Sequence, residues 1–279
     1  MILWHAIVLG IIEGVTEFLP ISSTGHLTIT ELLLGYKIDD PGVTAFTAII
    51  QIGAILAVLV YFRHDIAKIV KAWCSGIVNS KKRANKDYRY GWIIIVGSLP
   101  IMIVGFLLKK QIGEGVMRSL WVVAIALIVW GIVMFIADRH SPNERREADV
   151  TLKDALIIGA AQCLALIPGV SRSGATISAG LFRGFDRVAI VKLSFLLGIP
   201  ALVAAGGLGA VTYYEYIAIN IGWGTTLVAT ATAFISAYIM IAWLLKFLTD
   251  HNFSLFVWYR IGLGVLLIAL LTTGVITST

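Results

Sequence analysis

The sequence predicts an all-α polytopic membrane protein, with six transmembrane helices and two re-entrant helix-loop-helix hairpins arranged as an inverted-topology repeat. Three observations carry that expectation. First, the 279 residues are 58% hydrophobic and 14% charged, with a mean hydropathy of +0.90, whereas soluble domains carry about 25% charge. Second, six apolar runs, at 42–62, 91–108, 119–137, 193–214, 221–247 and 253–276, each come close to the roughly 20 residues a helix needs to cross a bilayer. Third, two polar, break-rich stretches interrupt this pattern, one near the start and one past the middle.

Taken in order, residues 1–35 begin with an apolar stretch that lacks a basic leader, and Glu13 and Glu17 do not resemble a cleavage site, so the segment is expected to belong to the mature chain. Pro20 and Gly25 make it too interrupted to span. Backbone groups freed by such breaks are satisfied inside a membrane only where protein or a cavity receives them, which predicts a re-entrant hairpin. Three spans follow, completing a first repeat over 1–137. Residues 152–182 contain Pro168, Gly169, Gly174 and Gly180 and predict a second hairpin. Three further spans complete a second repeat over 150–279, within one integral membrane domain of 1–279.

The two copies align at offsets of 149 (Glu13 with Gln162, Phe46 with Phe195) and 148 (Pro20 with Pro168, Ser23 with Ser171). Three crossings lie between them, an odd number, so the second copy is inserted upside down, as in many transporters. Assigning 63–89 to the cytoplasm places sixteen of the 22 Lys and Arg in inner loops. Lys37, Lys109, Lys110 and Arg118 lie outside, and Arg172 and Arg260 within membrane segments. Topology thus explains the net charge of +6, and no nucleic-acid partner is implied. Cys74 and Cys163 have neither CxxC spacing nor a nearby histidine, which argues against a metal cluster or disulfide framework.

Ionisable groups inside a membrane are costly and mark function. Glu13 and Glu17 are four apart on one helical face and require a positive partner, either a divalent cation such as Mg²⁺ or Ca²⁺ or Arg172 from the second hairpin. Ser22, Ser23 and Thr24 lead into Gly25 and His26. A serine beside a base is the minimal nucleophilic unit, and the same hydroxyls also suit a helix cap and an anion site. In the second hairpin, Gly169 and Gly174 permit close backbone approach, while Ser171, Ser173 and Thr176 offer hydroxyls. Arg172 is either a fork for phosphoryl oxygens or a partner for the glutamates. Gln51, beside Gly53, is a candidate lining residue, and Arg260 is expected to snorkel or to pair with a carboxylate. GxGxxG and the P-loop lysine are both absent, so nucleotide binding has no support.

The stretch from Glu13 through Glu17-Phe-Leu-Pro-Ile-Ser-Ser-Thr-Gly-His26, with Pro168-Gly-Val-Ser-Arg-Ser-Gly-Ala-Thr176, resembles the paired signature of the bacterial undecaprenyl-diphosphate phosphatases of the bacitracin-resistance type. The resemblance extends through residues 51–57 and 193–200. It implies hydrolysis of undecaprenyl diphosphate to undecaprenyl phosphate and inorganic phosphate at the outer face of the bacterial plasma membrane, recycling the lipid carrier for cell-wall synthesis and conferring bacitracin resistance. It further implies Ser23 as nucleophile, with Ser22 beside it, and Glu17 and His26 as proton carriers. Glu13 and Glu17 would hold Mg²⁺ or Ca²⁺, and Arg172 with Ser171, Ser173 and Thr176 would stabilise the phosphoryl oxygens. Residue types leave open whether serine attacks covalently or water is activated instead. A flippase or transporter of the polyprenyl phosphate is the alternative, motivated by the repeat. Oligomeric state is not legible.

Overall fold

The computed structural model describes residues 1–37, 40–108 and 119–277. Lys109, Lys110 and Arg118, assigned above to the outer side, lie outside the described residues. Six helices are long and apolar enough to cross a membrane, as expected.

Helix α1 (Leu3–Phe18) ends where Leu19 turns extended ahead of Pro20, because a proline ring disfavours helical geometry in the preceding residue. Helix α2 (Ser23–Leu33) starts on a Ser22 cap, whose hydroxyl accepts the Gly25 N–H at 3.3 Å. Helix α3 (Pro41–Tyr61) is started by Asp40, whose Oδ1 accepts the N–H groups of Gly42 and Val43, with proline at the first position, where its missing donor is harmless. Helix α4 (Arg63–Val78) was not anticipated from the sequence, because its lysines and short apolar face read as a loop. Helices α5 (Lys86–Leu107) and α6 (Leu120–His140) complete the first half.

In the second half, Thr151 and Asp154 form a capping box that opens α7 (Leu152–Gln162), which tightens into a 3-10 turn at Cys163–Leu166. Ser171 then caps α8 (Arg172–Phe182) through the Gly174 N–H at 3.2 Å. Asp186 caps α9 (Arg187–Asn220), about 50 Å long at 1.5 Å per residue and so longer than a hydrocarbon core. Helices α10 (Trp223–Asp250) and α11 (Ser254–Thr272) follow.

Each helix pair packs on the middle long helix of the other half: α1 lies along α10, and α7 along α5. Glycines make these approaches possible. A Cβ on Gly14 would collide with the Ala233 carbonyl oxygen, and one on Gly159 with the Gly97 carbonyl oxygen. The first long helices α3 and α9 pack together, as do the last, α6 and α11. Backbone geometry also refines the internal register. Ser22 and Ser171, 149 apart, both sit at φ +75° as caps of 11-residue helices, so Ser171 matches Ser22, and Arg172 matches Ser23. The sequence alignment had paired Ser23 with Ser171. The loop is one residue longer between proline and cap in the second copy, which produces the slip.

The second pair is anchored at its base by Asp154. Its fully buried carboxylate takes bonds from Arg145 at 2.6 and 3.1 Å, Arg183 at 2.8 Å and the Thr151 hydroxyl at 2.7 Å. Burial alone would raise this carboxyl, but the guanidinium and hydroxyl bonds prevail and hold it well below the usual carboxylate range.

Candidate active site

The breaks of the two helix pairs meet inside the protein. Ser173 Oγ of the second donates to the Leu19 carbonyl of the first at 3.0 Å, and the Phe18 and Phe195 rings stack edge-on nearby at 5.0 Å. Contact between the breaks makes one site from residues about 150 positions apart.

At its centre is Glu17. Ser23 Oγ donates to Glu17 Oε2 at 2.6 Å, while Arg172 Nη2 lies 3.5 Å from Glu17 Oε1. A hydroxyl this close to a carboxylate is a short, charge-assisted bond, aligned for the carboxylate to remove the serine proton. Glu17 and Arg172 are both buried, so neither charge is affordable alone. Arg172 Nη1 is held by the Ser194 carbonyl at 3.0 Å, but Nε and Nη2 are buried without hydrogen-bond partners. Two unsatisfied buried donors on a planar fork match an anionic oxygen cluster. The fork fits only because position 198 on α9 is glycine: any Cβ there would overlap the guanidinium.

The remaining predicted residues divide into those facing the cavity and those holding the breaks. A cavity of about 360 Å³ is lined by Glu13, Ser23, Thr24 and Gln51, together with Thr28, Glu31, Thr44 and Thr47, which sequence reasoning did not single out. Leu27, Val123, Leu166 and Pro168 form part of its apolar wall. Gly25 and Gly174 supply the capped N–H groups of α2 and α8. The expected hydroxyl cradle of Ser171, Ser173 and Thr176 is bonded inward. Because Ser173 gives its proton to Leu19 O, the 3.0 Å contact with Ser171 Oγ must have Ser171 as donor, which links Gly174 N–H to hairpin one in a single chain. Thr176 Oγ1 donates to the Arg172 carbonyl at 2.9 Å and meets Ser194 Oγ at 2.6 Å. Residue type alone does not say whether a serine faces a ligand or the backbone.

His26 is held at both ring nitrogens. Its Nδ1 is 2.7 Å from the Ser22 carbonyl and its Nε2 is 2.7 Å from the Tyr259 hydroxyl, so both ring nitrogens are occupied, and among its hydrogen bonds none goes to Ser23. Arg260 does not snorkel, and among the described residues no carboxylate pairs with it. It is fully buried and donates from Nη1 to Pro20 O at 2.8 Å and from Nη2 to Gly169 O and Val170 O at 2.8 and 2.9 Å. Carbonyls freed by the two breaks are thereby satisfied by one side chain, as backbone polar groups away from water require. Gly169 contributes through its carbonyl and a φ of +98°.

For a cation, the donor chemistry is hard oxygen. Glu13 Oε1 is buried without a hydrogen-bond partner on the cavity wall, Glu17 and Glu31 are its charged neighbours, and threonine hydroxyls and the Gln51 amide complete the lining. Among the described residues no group of three or more His, Cys, Asp and Glu is close enough to hold a metal ion by itself.

Six long apolar helices around a buried carboxylate that meets a cavity-lining hydroxyl and a guanidinium define a polytopic membrane protein. Residues 6–266 match the family described as Bacitracin resistance protein BacA, and the chain belongs to that family. It is 54% identical to "Undecaprenyl-diphosphatase 3" of Frankia casuarinae, over 99% of both chains. It is also 53% identical to "Undecaprenyl-diphosphatase" of Cutibacterium acnes, over 98% of this chain and 99% of the relative, and 51% identical to that of Acidothermus cellulolyticus, over 97% of each.

Proposed function

We propose that this chain is a phosphatase that converts undecaprenyl diphosphate to undecaprenyl phosphate and inorganic phosphate in the bacterial plasma membrane, recycling the lipid carrier for cell-wall synthesis and conferring bacitracin resistance. The observation that carries this reading is the 2.6 Å bond from Ser23 Oγ to Glu17 Oε2, beside the open donors of Arg172. In the first step Glu17 takes the Ser23 proton as Oγ forms a bond to the terminal phosphorus. The bridging P–O bond breaks, and its electron pair leaves with the lipid monophosphate. In the second, water attacks the phosphoserine, Glu17 returns its proton to Oγ as that P–O bond breaks, and the water proton leaves with inorganic phosphate. Arg172 Nε and Nη2 bind the equatorial oxygens, whose charge is spread in the transition state. Glu13, with Glu17, would hold a divalent cation, which when bound neutralises phosphate charge. Ser22, Ser171, Ser173 and Thr176 act through the backbone they fix.

The halves 1–137 and 150–279 are read as inverted copies whose hairpins enter from opposite leaflets, a reading supported by the way each pair packs on the other half's middle helix. The site is read as opening outward. Its cavity is lined by Thr44, Thr47 and Gln51 from the first half of α3, away from the Lys- and Arg-rich connection that follows that helix. A flippase would share the repeat but leaves the Ser23–Glu17 contact without a task.

The test is phosphate release by purified protein in detergent with lipid diphosphate and Mg²⁺ or Ca²⁺. Ser23→Ala should lower the rate by about 10³-fold or more, and acid quenching of the wild type with terminally labelled substrate should leave label on Ser23. Full rate in Ser22→Ala and in Ser23→Ala alike removes the nucleophile, and substrate movement without phosphate release removes the phosphatase.

A further inference from the structure

The Tyr259–Arg260 pair on α11 reaches the breaks from a helix that carries none of the signature residues. Arg260 takes the Pro20 carbonyl, and Tyr259 takes His26. The chemistry of the second contact is forced. A carbonyl oxygen accepts only, so the 2.7 Å contact from His26 Nδ1 to Ser22 O requires the proton on Nδ1. In the neutral ring, Nε2 is then a lone pair, and the Tyr259 hydroxyl 2.7 Å away must donate to it. The rings lie nearly parallel, 11° apart with centroids at 5.5 Å, which fixes the imidazole in rotation as well.

The carbonyl gripped by His26 belongs to the rigid peptide plane whose nitrogen is that of Ser23. Ser22 occupies φ +75°, which a non-glycine residue adopts at a cost of roughly 1–3 kcal/mol unless its surroundings hold it. The chain Tyr259 OH to His26 Nε2, then Nδ1–H to Ser22 O, is such a hold, applied one residue before the hydroxyl that meets Glu17. The second pair has Ala175 at the position matching His26 and no such strut.

We propose that Tyr259 is a positioning residue: it selects the Nδ1–H tautomer of His26, and the Tyr259–His26 strut aims Ser23 at phosphorus, with His26 serving as a brace for the backbone. This rests on the phosphatase reading above for its kinetic arm and is independent of it for its spectroscopic arm. The test uses the full chain in detergent, with unfolding midpoints of every variant compared with wild type.

With ¹⁵N-labelled histidine, the His26 signal, assigned among five by its loss in His26→Ala, should report the Nδ1–H tautomer and should shift towards a mixture in Tyr259→Phe. In phosphate release, Tyr259→Phe should lower kcat by tenfold to about 100-fold while KM stays within about twofold, the signature of a misplaced reacting group. His26→Asn keeps a donor near the Nδ1 position and should retain more activity than His26→Ala. Tyr259→Phe should add little to His26→Ala, because the two act as one unit. An unchanged tautomer together with an unchanged kcat in Tyr259→Phe overturns the proposal, as do additive effects. His26→Asn as inactive as His26→Ala makes His26 a proton carrier and also overturns it. If wild type releases no phosphate, the phosphatase reading fails, and the tautomer in Tyr259→Phe still decides whether Tyr259 sets His26.

Discussion

The two hairpins share a backbone and divide a chemistry. Both place a serine cap at φ +75° before an 11-residue helix, and both yield break carbonyls to Arg260. At matched positions the first carries Glu13, Glu17, Ser23 and His26, where the second carries Gln162, Leu166, Arg172 and Ala175. Hairpin one thus supplies the buried acid, the hydroxyl bonded to it and the charged and hydroxyl-bearing wall that the two hairpins give the cavity. Hairpin two supplies the cation, and its hydroxyls are spent inward on holding the pair together. Two breaks with the same cap geometry meet face to face, and the few positions at which their residues differ give the contact complementary halves.

Removing the contribution of hairpin two breaks the comparison hardest. Arg172→Ala should lower phosphate release by about 10²–10³-fold and destabilise the protein by about 3–5 kcal/mol, because it leaves Glu17 as an uncompensated buried charge. Adding Glu17→Gln should recover much of the lost stability, read from unfolding midpoints, and none of the activity. Recovery of both would mean that the pair is structural. A smaller effect is expected from Gly198→Ala, which leaves every reacting side chain in place but displaces the guanidinium. Activity should fall by about tenfold to 100-fold with Ser23 still labelled by substrate.

The base of hairpin two sharpens the comparison through pH. The carboxyl of Asp154 is held below its unfolded value of about 3.9, so its stabilisation is complete above that pH and is lost as pH falls through the folded value. At pH 7, Asp154→Asn should destabilise by about 3 kcal/mol, since Arg145 and Arg183 lose their shared anion and one of its two acceptor oxygens. The gap between wild type and variant should narrow as pH is lowered from 5 towards 2. A gap independent of pH would show that the carboxylate charge is not what anchors this hairpin.

The spans, the two breaks and the polar residues gathered at them were legible in the sequence because each is a local signal: an apolar run of spanning length, a proline followed by hydroxyls, a carboxylate where hydrocarbon is expected. What was not legible depends on direction and on distance along the chain. Ser171, Ser173 and Thr176 read as a phosphate cradle by type, yet their protons go to one another and to backbone, and Thr176 Oγ1 is met by Ser194 Oγ. Gly198, Ser194 and Tyr259 act on residues 22 to 233 positions away and announce nothing locally, while Arg260 stood out as a charge in an otherwise apolar span but its backbone partners, up to 240 positions away, did not. Helix α4 was missed because its apolar positions cover one narrow face only.

The finest distinction between the hairpins lies in their caps. Glycine at a cap loses only a few tenths of a kcal/mol relative to serine, and at φ +75° it relieves a strain of roughly 1–3 kcal/mol. Ser22→Gly gives up one bond to the Gly25 N–H, so the protein should be as stable as wild type or slightly more so. Ser171→Gly makes the same backbone gain but also removes the middle link between Gly174 N–H and Ser173, leaving Ser173 Oγ without its buried donor. That loss is about 1 kcal/mol, so Ser171→Gly should unfold earlier than Ser22→Gly, while Ser22→Gly, nearer to Ser23, should lose more kcat. Equal midpoints for the two variants would mean that the Ser171–Ser173 chain carries no load, and the inward turn of the hydroxyls in hairpin two would need another cause.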